Sequence, residues 1–549
     1  MNRRLLAIGL DGYEASIGER MMRDGRLPAL AQLAKRSAQV HLDHGDAKRT
    51  GLAWEHFSSG LAPAAANRWS AVEFDPLTYR CTQVGTALRP FPDLLDVKTV
   101  VFDPPYFDLC RAPTVRGVVS WGAHDPGTQI QANPESLLNE IRDKFGDYPA
   151  TQWIYGFTWP SADETTKMGT ALAEAVRVRG QIARWLLCDR VPDWSLGIVV
   201  ASELHSASEA LWHGVDARHP LHRVPSAEHA RIGLERTYEA IDELLATLVS
   251  SCSDAAVLVF SMHGMGPNES DVASMVLLPE LLYRAHFNRT LLRRPADASL
   301  TDEAWSDHLR SYFPYRPSEL ATSPVGLANR ARRWLPDPLK RIMKRALRRA
   351  PRRLSSSLSW MPADWYSRFW SEMDAFALPS FYDGQIRINL QGREKHGRVT
   401  LANYADTCDR IERDLHACVD PDTGQRVVRE IIRTHRSSPR DLGPTEADLV
   451  VVWSGAPRAF EHARFGTIGP CPYRRPGGHT GDHGVAMFAD ADTTPGFYGT
   501  RSAFDVVPTI AEYLSGAAHP KLSGTSFLSA LRPAARESRH TDATLAHRE

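Results

Sequence analysis

The sequence has no surplus of charge of either sign, few cysteines and no long apolar segment. Lys and Arg together number 65, and Asp and Glu also number 65. A balanced chain creates no net field that would draw it to nucleic acid or to an anionic membrane. The 7 cysteines are scattered without C-x-x-C pairs, a pattern typical of reduced thiols rather than of a disulfide framework.

No apolar run in the sequence reaches the length of about 20 residues that a membrane-spanning helix needs. The first apolar stretch, Leu5 to Leu10, is also too short for a secretion signal. We therefore expect a cytoplasmic protein without a transmembrane segment. The length of 549 residues, with 43% hydrophobic and 24% charged residues, fits either several domains or one large, elaborated fold.

Three short apolar runs are each followed by a residue that can bind a metal. Asp11 follows residues 5–10, His205 comes shortly after 194–201, and His263 shortly after 255–260. Such runs suit parallel strands buried on both faces, and open α/β sheets bind ligands at the carboxyl ends of their strands. Alone, Asp11 could equally cap the next helix, and one histidine is usually a core residue. Three strands that deliver such groups to one edge favour a site.

Two further positions have both a chemical and a structural interpretation. His205 and Glu209 are four residues apart, so both could reach one ion; the alternative is a polar turn with His213 as a solvated neighbour. Thr50 precedes a helical pattern that stops at Gly60. It is either a plain helix cap or a nucleophile at a helix end.

The middle and the end of the chain differ in composition from the rest. Segment 328–353 is rich in Arg and Lys with interleaved apolar residues, which predicts a basic amphipathic helix. Such a helix is either a solvated face or a contact for an anionic partner. We predict an α/β core formed by residues 1–270 and 376–535, an inserted basic helical cap over 271–375, and a disordered tail over 536–549.

Taken together, the motifs resemble the alkaline phosphatase superfamily, and most closely its type I phosphodiesterase/nucleotide pyrophosphatase branch. The resemblance rests on the order of the motifs, because each one alone is weak. The motifs are the strand before Asp11-Gly12, Thr50 before a helix ending in Ser-Gly-Leu-x-Pro, the pair His205/Glu209, the segment Met262-His263-Gly264-Met265, a late Gly-x-His at 481–483 before a Val-x-Met-Phe strand, and the closing Phe-Asp-x-x-Pro-Thr-Ile at 504–510.

The resemblance implies a three-layer α/β sandwich with a mostly parallel central sheet, helices on both faces and an inserted cap. It also implies a metal-dependent hydrolase that acts on a phosphate ester or pyrophosphate of a small molecule, with Thr50 as the nucleophile. Two divalent ions, usually zinc, are typical of the family. By position, Asp11, Thr50 and His263 would hold one ion, and His205, Glu209 and His483 the other.

The sequence departs from the family pattern at several of these positions. Where the family has a carboxylate followed four residues later by a histidine, this chain has His205 followed by Glu209. The ligand set still contains two histidines and one carboxylate, which suits zinc, manganese or iron. Met262 stands where the family has a carboxylate, so we expect the second ion site to be weak and the His205 site to fill first. The family's substrate-binding Asn falls on Ala71, with Asn67 nearest.

Because of these departures, the sequence is compatible with either one or two bound ions, and it also allows other functions. We expect Asn67, His479 and His213 to contact the substrate, and we expect no specific nucleic-acid partner. The first alternative is single-metal chemistry on another ester, or a reaction that is not hydrolytic. The second is a catalytically silent binding protein that uses the basic segment 328–353 as a docking arm.

Overall fold

The structure is a computed structural model, and it describes residues 3–123, 128–154, 161–292, 355–358, 361–434, 436–471, 473 and 475–531. The predicted basic helix over 328–353 and the predicted tail over 536–549 lie outside these residues. No helix among the described residues is long and apolar enough to cross a bilayer.

The described strands are short, as the apolar runs predict. In chain order they are β1 Leu5–Leu10, β2 Ala38–Asp43, β3 Val72–Asp75, β4 Arg80–Val84, β5 Thr99–Phe102, β6 Arg116–Val119, β7 Gln131–Asn133, β8 Leu196–Ala201, β9 Ala256–Ser261, β10 Gly266–Pro267, β11 Ser355–Ser357, β12 Ala375–Leu378, β13 Gly384–Ile388, β14 Val428–Arg433, β15 Leu449–Trp453, β16 Phe460–His462, β17 Gly466–Ile468, β18 Gly477–Gly478, β19 Gly484–Ala489 and β20 Gly496–Ser502.

The α-helices vary from a single turn to the long pair α6 and α8, which pack against each other. In chain order they are α1 Ala15–Arg23, α2 Pro28–Arg36, α3 Ala53–Ser59, α4 Pro63–Ala66, α5 Ser136–Phe145, α6 Ala162–Arg184, α7 Glu203–Leu211, α8 Ala227–Ser251, α9 Leu278–Phe287, α10 Tyr404–His416 and α11 Val506–Ser515. The helical pattern over about 14–35 forms two helices rather than one, because Gly25 adopts φ +73° and Pro28 starts α2.

A nine-stranded mixed sheet forms the centre of the molecule, in the order β20-β2-β19-β9-β1-β8-β5-β6-β7. Only β19 and β7 run antiparallel to their neighbours in this sheet. The predicted α/β class with a mostly parallel sheet is confirmed. β1 is central and pairs in parallel with both β8 and β9, so the carboxyl ends of these three strands lie side by side.

Helices cover both faces of this sheet, because successive side chains of a strand point to opposite sides. Leu6, Ile8 and Leu10 of β1 belong to the apolar core that includes α6, α7 and α8. Leu5 and Ala7 belong to a second core that includes α3 and α11. Each residue of β1 is fully or almost fully buried, which explains its uninterrupted hydrophobicity.

A separate four-stranded antiparallel sheet has the order β12-β13-β15-β14. Its apolar core also includes side chains from 272–292 and 358–373. Strands β13 and β15 belong to this sheet and not to the central one, although both lie in the segment 376–535 that the sequence analysis assigns to the α/β core. Continuous apolarity cannot distinguish the two positions, because this sheet is also largely covered by other parts of the chain.

Candidate metal centre

The carboxyl ends of β1, β8 and β9 bring the predicted ligand residues together. Asp11 directly follows β1, and its backbone N–H donates to the carbonyl of Ala201 at the end of β8, at 2.9 Å. His205 lies in the first turn of α7, which starts two residues after β8, and His263 lies two residues after β9. The strand-end argument from the sequence therefore holds for these three residues.

Gly12 allows the end of β1 to lie against the backbone of α7. Its φ is +78°, a left-handed conformation that favours glycine. A Cβ at this position would lie 2.4 Å from the Cα of His205, far inside van der Waals contact. The short Asp11-Gly12 turn thus keeps the Asp11 carboxylate close to the His205 imidazole.

Two carboxylates and three imidazoles form one continuous group. Asp11 Oδ2 lies 2.9 Å from His205 Nδ1, and Asp11 Oδ1 lies 3.6 Å from His263 Nε2. His205 Nε2 lies 3.6 Å from Glu209 Oε1. The imidazole of His479 joins from the late loop, with its Nδ1 3.2 Å from His263 Nδ1. Asp11 and His263 of one expected ligand set and His205 and Glu209 of the other thus lie in a single cluster.

The charges in this cluster shift the titration of its histidines in opposite directions. Burial disfavours a cation at His205, but the carboxylates of Asp11 and Glu209 outweigh it and raise the pKa of His205 to about 10. At His263 burial dominates and lowers the pKa, against the attraction of Asp11. The carboxylates thus favour positive charge beside His205, which a proton or a divalent ion can supply.

His205, Glu209 and His479 could hold one divalent ion. Their ligand atoms all lie within 4.8 Å of one another, and the ligands of a tetrahedral zinc ion lie about 3.3 Å apart. Small side-chain rotations therefore suffice to close the set. Two imidazoles and one carboxylate suit zinc, manganese or iron. Asp11 lies behind His205 as the partner of its other ring nitrogen, an arrangement that orients metal-binding histidines.

The structure places His483 away from this group, contrary to the expectation that it completes the ligand set. Its side chain is exposed and stacks on His41, with ring centroids 5.3 Å apart. The late loop turns sharply before β19, where Gly481 packs directly on Gly264. His479, which was expected to contact substrate, follows β18 and occupies the position beside His205 instead.

Thr50 lies at the end of a 3-10 helix, Gly45–Thr50, and not at the start of α3. Its hydroxyl donates to the Ala47 carbonyl at 2.8 Å and accepts from the Leu52 N–H at 3.2 Å. Leu52 is the residue that precedes α3, so the plain-cap interpretation of Thr50 is wrong. The hydroxyl instead stabilises the turn that leads into α3.

Tyr382 connects the Thr50 turn with the histidines. A Cβ at Gly51 would lie 2.7 Å from the Tyr382 ring, which shows how closely this ring packs on the turn. The same ring lies 5.0 Å from the His479 ring, between centroids. Desolvation, followed by the nearby charges of Asp11 and Glu209, raises the pKa of Tyr382 well above its usual range. Its hydroxyl therefore keeps its proton at neutral pH.

A cavity of about 90 Å³ opens beside the cluster. The histidines and Glu209 form part of its wall, and Gly51 and Trp54 form another part. Arg475 also lines the cavity and contacts Glu209 as an ion pair. The site therefore contains a buried cation, Arg475, that the sequence analysis did not predict. Arg475 directly precedes the glycine-rich segment Pro476-Gly477-Gly478, and that position could have marked it as a site residue. The sequence around Tyr382 has no comparable motif.

Asp11, Thr50 and His483 do not line this cavity, and neither do Asn67, His213 and Met262. Asn67 is exposed and ends the short helix α4 with φ +50°. His213 is buried, its Nε2 lies 3.4 Å from Ser226 Oγ, and burial lowers its pKa to about 3. Met262 is buried in the core beside α3 and α11. The structure thus gives Asn67 and His213 structural roles, and it gives Met262 the role of a core residue.

A buried ion network fixes the helix that carries His205 and Glu209. Arg179 of α6 is completely buried and lies 2.8 Å from Asp103 and 2.8 Å from Glu203. Its guanidinium also donates to the carbonyl of Val200 in β8, at 2.8 Å. Because Glu203 is the first residue of α7, this network ties the start of α7 to the central sheet.

Comparisons with known proteins give only structural neighbours. A scan against protein-family models finds no match, and a search of curated proteins finds none either. Phosphonoacetate hydrolase from Sinorhizobium meliloti 1021 is similar at 14% identity and a TM-score of 0.43, over 94% of this chain and 96% of that one. Murine ectonucleotide pyrophosphatase/phosphodiesterase 5, in complex with AMP, is similar at 10% identity and a TM-score of 0.45, over 95% and 97%.

The human ectonucleotide pyrophosphatase/phosphodiesterase 5 is similar at 9% identity and a TM-score of 0.45. That likeness covers 97% of this chain and 100% of the human chain. The murine and human neighbours carry the name of the nucleotide pyrophosphatase/phosphodiesterase type that the sequence motifs resemble.

Proposed function

We propose that this protein is a metal-dependent hydrolase of phosphate esters or anhydrides of small molecules. The observation that carries the proposal is the group His205, Glu209 and His479, whose ligand atoms lie within 4.8 Å of one another on the wall of a cavity. Thr50 directly precedes Gly51, which lines the same cavity, and its place in the order of the sequence motifs is the reason why we assign its hydroxyl as the nucleophile.

A divalent ion held by His205, Glu209 and His479 would act as a Lewis acid on the oxygens of the phosphoryl group. The surrounding side chains prepare this site. Asp11 orients the His205 ring, and Arg475 offsets the charge of Glu209. During the reaction the Thr50 oxygen forms a bond to phosphorus as the bond to the leaving group breaks, and the hydroxyl proton passes to the leaving oxygen or to solvent. Water then attacks phosphorus, the bond between phosphorus and the Thr50 oxygen breaks, and that oxygen takes up a proton from the water.

We expect one tightly held ion per chain. Asp11, which a second ion at Asp11, Thr50 and His263 would need, already binds His205, and the Thr50 hydroxyl binds the backbone. Met262 adds no carboxylate there. The number of tightly bound ions per chain is measured by metal analysis after extensive dialysis against a chelator. Reconstitution with zinc, manganese or iron(II) follows. Two equivalents that survive the dialysis contradict this expectation.

Two histidines of the late loop provide a matched pair of variants. We expect His479→Ala to lose tight metal binding, by roughly 10- to 100-fold or more in affinity, because it removes a ligand. We expect His483→Ala to bind metal like the parent, because its ring is exposed and stacks on His41. Isothermal titration with zinc measures both affinities. If His483→Ala loses zinc affinity and His479→Ala does not, the ligand is His483, as expected from the sequence.

Turnover of bis(p-nitrophenyl) phosphate tests the assigned chemistry. Thr50→Ala should retain the metal and lose turnover, because the nucleophilic oxygen is absent. Unchanged turnover in this variant rules out a Thr50-linked intermediate. A parallel panel of sulfate and phosphonate esters tests diverged chemistry at the same site. Metal binding without turnover of any ester supports the silent binding protein.

A further inference from the structure

The cavity beside the histidines contains a buried amide without a partner. Gln83 lies in β4, its side chain is completely buried, and it lines this cavity. Among the described residues, neither its Oε1 nor its Nε2 has a hydrogen-bond partner. Buried polar groups are nearly always paired, and an unpaired one destabilises the fold. An amide left unpaired at a cavity wall therefore suggests that a bound ligand forms its missing hydrogen bonds.

A second group of this kind lies on another part of the same wall. Trp54 of α3 is buried and lines the cavity, and its Nε1 has no hydrogen-bond partner among the described residues. Its ring is held in place by contacts with Phe57 and Phe260, with centroids 5.7 Å away in both cases. Trp54 Nε1 can only donate, whereas the Gln83 amide can both donate and accept.

The neutral character of Gln83 and Trp54 restricts what such a ligand group can be. Neither side chain carries a charge that could pair with a carboxylate or an ammonium group on the ligand. A neutral group that accepts from two donors and donates to one acceptor fits better. Adjacent alcohol hydroxyls have this combination.

We propose that Gln83 and Trp54 form a subsite for the hydroxyl groups of a polyol or sugar esterified to the phosphate. This inference rests on the proposed function, which places the phosphoryl group beside His205 and Thr50. The subsite makes the enzyme selective for hydroxylated esters, because a ligand without hydroxyls leaves the buried amide unpaired. The two residues determine specificity and take no part in the bond-breaking step.

Two diesters that differ only in hydroxyl groups test the subsite. They are p-nitrophenyl glyceryl phosphate and p-nitrophenyl propyl phosphate, which share one leaving group. With the metal-loaded parent we expect kcat/KM to be about tenfold or more higher for the glyceryl ester. Gln83→Leu should bring this ratio close to one, mainly through KM, and Trp54→Phe should lower it in part. Equal values for both esters in the parent overturn the proposal.

Thr82→Val is the matched control, because Thr82 precedes Gln83 on the same strand and points to its opposite face. It should leave the ratio unchanged. Thermal unfolding checks the fold of the Gln83→Leu variant, which should melt no lower than the parent because it removes an unpaired buried amide. A clearly lower melting temperature would show that the amide has a structural partner and would overturn the proposal.

Ligand-induced stabilisation separates failure of the subsite from failure of the proposed function. The probes are glycerol 3-phosphate and propyl phosphate, each added to the metal-loaded protein. We expect a larger rise in melting temperature with glycerol 3-phosphate, and we expect Gln83→Leu to abolish the difference. If this difference is present but neither diester is hydrolysed, the hydrolase assignment fails and the subsite stands. Equal rises with both probes overturn the subsite.

Discussion

Glu55 is a buried carboxyl group in α3 that holds its proton more firmly than an exposed glutamate. It is completely buried, and its Oε1 lies 3.0 Å from the Nε of Arg68. Burial outweighs the attraction of this cation and raises the pKa of Glu55 from 4.5 to about 7. Between these values the unfolded chain binds fewer protons than the folded one. Rising pH therefore reduces the contribution of Glu55 to stability.

Glu55→Gln removes this dependence on pH, because an amide does not titrate. Relative to the parent, we expect the variant to gain about 2–3 kcal/mol in free energy of unfolding between about pH 5 and pH 8. Chemical denaturation at several pH values measures the difference. Glu19→Gln, at an exposed glutamate in α1, serves as the control with little change. A difference that stays constant across pH would show that Glu55 is ionised throughout.

The sequence predicts which residues at strand ends reach the site, but it does not predict which residues within loops do. Asp11, His205 and His263 follow runs whose apolarity marks a buried strand, so their common edge follows from the pattern. The choice between His479 and His483 depends instead on where the late loop turns. That turn is set by packing between glycines distant in sequence, which no local pattern contains.

At the scale of elements, Arg179 joins α6, α7 and β8 through buried ion pairs and a backbone hydrogen bond. Arg179→Met leaves Asp103 and Glu203 buried without their cation, which we expect to cost about 3–5 kcal/mol of stability. Arg177→Met is the control, because Arg177 lies on the same helix in a largely exposed pair with Glu243. That exposed pair is worth at most about 1 kcal/mol.

Denaturant unfolding and zinc titration compare these two variants. We expect Arg179→Met to weaken zinc binding as well, because α7 carries His205 and Glu209. Arg177→Met should bind zinc like the parent. Equal stability and equal zinc affinity for the two variants would show that the buried network does not hold α7.

Element types were easier to predict than the sheet to which each strand belongs. The runs at β1, β8 and β9 are strands of the central sheet, as expected. β13 and β15 have similar apolar runs, yet they pair antiparallel in a separate sheet. Pairing partners depend on contacts between distant segments, such as the core shared with 272–292. Local hydrophobicity reports burial but does not identify the partner strand.

At the scale of the whole molecule, metal binding should stabilise the fold, because the ligands come from distant parts of the chain. An ion that binds the folded protein alone adds about 2.7 kcal/mol at a free concentration 100 times its Kd. We expect the melting temperature of the metal-free protein to rise with added zinc or manganese. We expect no comparable rise for His479→Ala. Equal rises would place the stabilising ion elsewhere.

The overall class followed from the sequence, but the depth and shape of the site did not. An ordered set of motifs was enough to predict a mostly parallel sheet with helices on both faces. The cavity, by contrast, is formed by side chains such as Gln83, Tyr382 and Arg475, which lie between the motifs. Their positions depend on how the whole chain packs, and so they become visible only in three dimensions.

The pairing of β1 with both β8 and β9 also constrains how the protein is made. β1 is central in the sheet, and it is synthesised before both of its neighbours, which start at residues 196 and 256. His479 emerges later still. β1 must therefore stay without its sheet partners until β8 and β9 have been synthesised, and during that interval its apolar run needs protection from aggregation by chaperones.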